Sequence, residues 1–264
     1  VIENDMKASH FEDVYDFYKP QMASEFPLVD GKLSNKCYMR AIDKCYQKYV
    51  AKYQNVQGKY LDFDKKINHV IFHNPYTKLV KRGFARLILN DIVYNNNNSF
   101  DTLNVYKDYY LEENYDNKKL DESCLLATEK EYITKVFPST HTGRNIGNMY
   151  CGSLYGGLLS LLAERGDNLL DNRILMFSYG SGLASSMFSL YVRKSVDEQR
   201  KKCDLINRLD RRTECSPRQF VEKLELRKKY NNMNNLYTKT VSNDIRQSIY
   251  NGCYYLEKVD NLYR

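Results

Sequence analysis

Tryptophan is absent from this chain of 264 residues, proline occurs five times and histidine four times. No stretch of eighteen consecutive apolar residues exists, which excludes a helical membrane span. The seven cysteines form no C-x-x-C pair, which argues against a disulfide framework and a zinc site and for a reducing compartment. No G-x-S-x-G elbow is present, because the residue two before Ser181 is Tyr179. Nor is there a block of like charge. The net charge of +7 is spread along the chain and fits an anionic small ligand, a nucleic acid or a merely solvated basic surface. Val1–Met6 has no initiator methionine, basic segment or apolar leader. The expectation is a fragment that starts mid-fold, with Val1-Ile2 ending a strand whose partners lie upstream.

Tyrosine is abundant, with 24 copies, and Asn95-Asn96-Asn97-Asn98 is a homopolymeric run. Both read as compositional bias of the source. The tyrosines do not alternate with arginine on strands, so they are not base-stacking platforms.

Periodicity predicts a helix from Ser34 to about Gln54, with Tyr38, Ile42, Cys45, Tyr46 and Tyr49 on one face and Ser34 as its N-cap. Asn68–His73 reads as a short buried strand, and Pro75 marks the start of a helix that ends at the asparagine run. Residues 99–117 read as a surface excursion, 118–137 as a helix and 149–163 as another. Glycines within that last helix, each costing about 1 kcal/mol relative to alanine, imply close backbone packing or a passing ligand. Arg173–Ser178 reads as a central strand, Gly180-Ser181-Gly182 as a tight turn and Leu183–Val192 as the return strand, with Ala184, Ser186, Phe188, Leu190 and Val192 facing one way. Ser195 with Glu198, and Ser216 with Gln219, are capping-box patterns, and Tyr254–Val259 reads as a last strand. The class is α/β or α+β.

Among the histidines, His73 has a distinctive position just past a buried strand, where α/β folds place ligands. An imidazole there can donate a hydrogen bond to a carbonyl oxygen gaining negative charge. His10 and His69 have less context, and His141 lies in a polar stretch that reads as an exposed loop. Lys78, Lys81 and Arg82 share one helix face, which serves either to hold phosphates or as a solvated surface. Seven of the 12 glycines fall between Gly147 and Gly182. Ser181, between two strands, reads as a hydrogen-bond donor to substrate. Cys151 reads as an ordinary buried thiol, since no histidine or acid is placed beside it.

Six segments then point to a family: Tyr15–Pro20, Val29–Ser34, Ile71–Val80, Gly147–Tyr150, Phe177–Ala184 and Tyr255–Asp260. In this order they resemble the C-terminal half of eukaryotic 3-hydroxy-3-methylglutaryl-CoA synthase, of the thiolase superfamily. Residues 95–145 and 225–252 match it weakly. The resemblance implies an α/β fold, the C-terminal half of a thiolase-like layered structure, in which a mixed sheet is flanked by helices with helical insertions. Residues 1–264 would be that C-terminal domain, without the N-terminal half.

The implied activity is an acyltransferase condensation of acetyl-CoA with acetoacetyl-CoA, in the mevalonate or ketone-body pathway. No cofactor or metal is implied, the CoA thioesters being substrates. The family's acetyl-carrying cysteine and its glutamate belong to the N-terminal half, so this chain alone is expected to be inactive. By resemblance His73 polarises acetoacetyl-CoA. Ser34, Asn148 and Ser181 bind the acyl portion, and Lys78 lies near CoA. Arg82 stands where the family commonly has lysine, which changes a point charge into a planar fork. Asp16, Phe17 and Tyr150 support the site.

The implied partners are the upstream half and a second copy in a homodimer, with no nucleic acid or membrane. The implied location is cytoplasmic or mitochondrial. The alternatives are a catalytically dead thiolase-fold partner, another thiolase-superfamily condensing enzyme, which would carry a G-H-P motif missing here, and a nucleic-acid-binding module, for which no motif is present.

Overall fold

A computed structural model describes residues 1–21, 24, 26–95, 100–108, 114–231 and 252–255. The chain divides into two compact units, Val1–Tyr18 with Val29–Arg212, and Lys19–Leu28 with Thr213–Arg264.

The first unit is built on a four-stranded sheet of β1 (Ala8–Phe11), β2 (His69–Phe72), β3 (Arg173–Gly180) and β4 (Ala184–Tyr191), in the spatial order β1-β4-β3-β2. β3 and β4 form an antiparallel hairpin, β1 runs antiparallel to β4, and β2 is parallel to β3 with His69 opposite Ile174 and Phe72 opposite Phe177. The Val1-Ile2 strand expectation finds its partner within this chain: Ile2 bridges Leu190, and Tyr191 N–H donates to the Val1 carbonyl at 2.8 Å.

Period-two alternation divides the strands between two apolar layers. Val70, Phe72, Leu175, Phe177 and Met187 enter one core; Ile71, Ile174 and Met176 enter the other, against which Phe188 and Leu190 pack. The first core is covered by α1 (Gly31–Gln57) and α2 (Thr77–Asn95), the second by the helix Ser153–Arg165. The expected mixed sheet between helical layers is therefore present. The set expected to face one way on the return strand does so: Ser185, Met187 and Ser189 are buried on one face, and Phe188 and Leu190 of the other pack against the second core.

Asp30, not Ser34, caps α1. Its carboxyl accepts the Lys32 and Leu33 N–H groups at 3.1 and 3.0 Å, which places Ser34 inside the first turn. Gly58, at φ 66°, closes the other end. Tyr38, Tyr46, Tyr49 and Tyr53 are fully buried along α1, and three of their hydroxyls have defined acceptors: Tyr46 donates to Asp91, Tyr49 to Ser189 and Tyr38 to the His73 carbonyl. These tyrosines thus have core roles beyond compositional bias. Between α1 and α2, Arg86 grips Asp43 with two bonds of 2.8 and 2.6 Å, and Asn90 and Tyr115 complete the buried carboxyl's partners.

Several boundaries differ from expectation. α2 begins two residues after Pro75. Part of the supposed surface excursion is core, since Phe100 and Leu103 are buried. The expected helix over 118–137 breaks after α3 (Lys118–Ala127), where the Thr128 hydroxyl turns back onto the Cys124 carbonyl. A short helical turn, a π-helical turn (Tyr132–Val136) and a 3₁₀ turn then lead into α4 (His141–Ile146), so His141 is helical and half-buried. α5 (Ser153–Arg165) follows a 3₁₀ turn. Its glycines serve close packing: a Cβ on Gly157 would lie 2.7 Å from Ile71 Cγ2, and one on Gly156 would lie 2.9 Å from Met149 Sδ.

Ser195 does not form a capping box with Glu198. Its hydroxyl donates to Asp167, and Glu198 pairs with Lys202. In the second unit, the box opening the helix Pro217–Asn231 forms reciprocally, with Ser216 N–H donating to Gln219 and Gln219 N–H to the Ser216 hydroxyl. Most of the expected last strand lies outside the described residues, and the described Tyr254 and Tyr255 are not in strand conformation. No described helix is long and apolar enough to cross a membrane.

Candidate functional site

A cavity of about 830 Å³ opens where β2 and β3 end, in the first unit. His73, at the end of β2, meets Ser181, in the β3–β4 turn; Ser34 reaches in from the first turns of α1 and Asn148 from the loop before α5. Phe17 and Tyr150 also line it. Of the four histidines, only His73 lines this cavity. His10 instead sits 2.6 Å from Glu12, which is also paired with Arg40.

Three hydrogen bonds fix the main chain at His73. Its N–H donates to the Phe177 carbonyl at 2.8 Å and its carbonyl accepts the Tyr38 hydroxyl at 2.8 Å. The next residue's N–H donates to Ser153 Oγ at 2.7 Å. The ring lies tilted against Tyr179, centroid to centroid 6.3 Å. Burial lowers the imidazole pKa to about 4, and no charged neighbour contributes to that shift. The ring is therefore neutral at neutral pH, with one nitrogen donating and the other accepting. That state suits a donor that polarises a carbonyl without carrying full charge.

Asn148 is oriented by its own loop. Its Oδ1 accepts the Tyr150 N–H at 2.8 Å, an Asx turn that commits the oxygen and leaves the amide NH₂ as the donating end. Tyr150 takes φ 49° in that turn, a left-handed conformation costly to a residue bearing Cβ. The turn bearing Ser181 is held from beneath. The fully buried Asp16 accepts the Gly182 N–H at 2.8 Å and the Tyr179 hydroxyl at 3.3 Å. Gly182 and Leu183 there have φ 80° and 60°. Asp16 thus acts on the cavity through the turn.

The cationic face on α2 is placed differently from the other residues. Neither Lys78 nor Arg82 lines the cavity. Lys78 is exposed, Arg82 is bridged to Asp121 at 2.6 Å, and Lys81 is paired with Glu129. Cys151, expected to be buried, is exposed at the cavity. No imidazole or carboxyl is hydrogen-bonded to it among the described residues, so it has no base to activate it.

Among the lining residues that sequence reasoning did not assign to the site are Tyr38, Tyr179 and Asn35, whose Oδ1 accepts the Tyr76 hydroxyl at 2.9 Å beside the cavity. Tyr38 had a usable signal, because it stands one helical turn from Ser34.

The family profile described as hydroxymethylglutaryl-coenzyme A synthase C terminal matches residues 1–264. Hydroxymethylglutaryl-CoA synthase A of Dictyostelium discoideum is 44% identical over 98% of this chain and 53% of its own length. The human cytoplasmic and rat mitochondrial hydroxymethylglutaryl-CoA synthases are 36% and 39% identical over 100% of this chain, which covers 53% and 54% of them. The chain thus spans about half the length of these relatives. Among solved structures, MvaS in complex with 3-hydroxy-3-methylglutaryl coenzyme A matches in fold with a TM-score of 0.71, at 24% identity over 90% of this chain and 53% of that one. An HMG-CoA synthase complexed with CoA matches with a TM-score of 0.55, at 26% identity over 85% of this chain and 46% of its own. The chain belongs to the hydroxymethylglutaryl-coenzyme A synthase C-terminal family.

Proposed function

We propose that this chain is the acyl-CoA-binding half of a hydroxymethylglutaryl-CoA synthase, which condenses acetyl-CoA with acetoacetyl-CoA to give 3-hydroxy-3-methylglutaryl-CoA. The observation that carries this reading is the convergence of His73, Ser34, Asn148 and Ser181 on one cavity. The neutral His73 donates to the acetoacetyl carbonyl, which gains negative charge as the carbon nucleophile adds to it. The Asn148 NH₂ and the Ser34 and Ser181 hydroxyls hold the acyl and thioester oxygens, and Phe17 and Tyr150 shape the cavity walls. Lys78 contributes charge outside the cavity, toward the CoA phosphates. Arg82, already committed to Asp121, gives less there than a free lysine.

The acetyl-carrying cysteine and the glutamate come from an upstream half, and this half alone does not turn over, because covalent and acid–base steps need both groups within hydrogen-bond reach. The complete protein is a homodimer. The seven free thiols fit a reducing compartment, and we place it in the cytoplasm.

The test is His73→Ala in the complete protein, with acetyl transfer to the cysteine and condensation measured separately. Condensation should fall by at least a hundredfold while acetyl transfer stays near wild type. Loss of acetyl transfer with condensation spared would refute the assigned role.

A further inference from the structure

We propose that Tyr38 is a positioning residue: its hydroxyl, set by a close crossing of α1 and α2 at Gly83, fixes the main chain that presents the His73 imidazole to the cavity. This rests on the reading of His73 given above. The His73 carbonyl lies beyond the last ladder pair of β2, which is Phe72 with Phe177, so its partner comes from outside the ladder. Tyr38 does so at 2.8 Å. Its ring is held edge-on by Phe177, at 5.5 Å and 89°, and by Tyr179, at 5.1 Å and 64°. The residue is 1% exposed yet lines the cavity. Burial holds the phenol well above its usual pKa, so it stays a donor.

Gly83 sets how closely that ring can sit. A Cβ there would stand 3.1 Å from the Tyr38 ring and 3.0 Å from Ile42 Cδ1, tighter than side chains ordinarily pack. A helix-interior glycine costs about 1 kcal/mol relative to alanine, and the close approach of the two helices offsets that cost. The N–H of the same peptide is held by Ser153, and the N–H of the preceding one by the Phe177 carbonyl. Tyr38→Phe deletes one anchor while keeping the ring, the cavity shape and the helix crossing.

The decisive experiment is Tyr38→Phe in the complete protein, with His73 followed by NMR of labelled histidine and identified by its loss in His73→Gln. With its carbonyl anchor gone, the loop relaxes toward the cavity and the ring hydrates. The His73 titration should then rise from about 4 toward the ordinary 6.5. Condensation should fall about tenfold, with acetyl transfer nearly unchanged and the protein folded at a modestly lowered melting temperature. Gly83→Ala, which pushes on the ring, should shift the same titration in the same direction. An unmoved His73 titration in Tyr38→Phe overturns the proposal, whatever the kinetics. If His73→Ala leaves condensation intact, the functional reading fails while the titration still decides the role of Tyr38.

Discussion

Replacing Asp16, which does not itself line the cavity, by alanine should loosen the Ser181 turn. Asp16 is fully buried and its carboxyl accepts the Gly182 N–H at 2.8 Å and the Tyr179 hydroxyl at 3.3 Å. Removing it leaves the Gly182 donor without its partner, which costs about 1–3 kcal/mol. The Tyr179 contact, at 3.3 Å, is longer and adds less. A local cost of about 2–3 kcal/mol should accelerate amide exchange at Gly182 by about 30- to 150-fold, because exchange from a turn follows its local opening free energy. Asp16→Asn retains an oxygen that can accept the Gly182 N–H, so its effect should be under about tenfold. Hydrogen exchange resolved over residues 179–184 provides the assay. Unchanged exchange in Asp16→Ala, or an equal effect from both substitutions, would refute the view that this carboxyl holds the turn.

Acidification should weaken the fold through His69 and His73, both lowered to about 4 by burial. The unfolded chain binds more protons between pH 6.5 and 4, so stability is complete above that window and falls through it, by about 2 kcal/mol per histidine at pH 5. Denaturation at pH 7 and 5 in His69→Gln and His73→Gln checks this, each variant losing its share of the pH dependence. Arg86→Ala should destabilise by about 3–5 kcal/mol, because it strips the buried Asp43 of its two-bonded partner; a loss below 1 kcal/mol in a melt would contradict it. Gly157→Ala should destabilise by about 1–3 kcal/mol despite alanine's helix propensity, since its Cβ would press on Ile71 of β2, and a raised melting temperature would count against that packing.

The strands and long helices were legible because burial imposes periodicity. Val70-Ile71-Phe72 is buried throughout and reads as a continuous apolar run. α1 carries a stripe of tyrosines at three- and four-residue steps. The cap of α1 was misread because Asp30 and Ser34 are both good caps and only geometry decides between them. The start of the expected surface excursion escaped because Phe100 and Leu103 are isolated anchors without a period.

Within the site, His73 and Ser181 were legible from their places after a strand and in a tight turn, whereas Ser34 and Asn148 came from motif resemblance. Spacing alone could not tell a phosphate-binding face on α2 from one whose cations meet carboxyls of later segments, as Arg82 meets Asp121. Tyr38 and Asp16 act through hydrogen bonds to main chain 35 and 166 residues away; spacing from Ser34 places Tyr38 near the site, but no local pattern shows either bond.

The most direct measurement is a crystal structure of the complete protein soaked with acetoacetyl-CoA. The account predicts a His73 ring nitrogen within about 3 Å of an acyl oxygen, with Asn148 and Ser181 donating to the same acyl group. An acyl chain bound elsewhere, leaving His73 facing only solvent or protein, would contradict it.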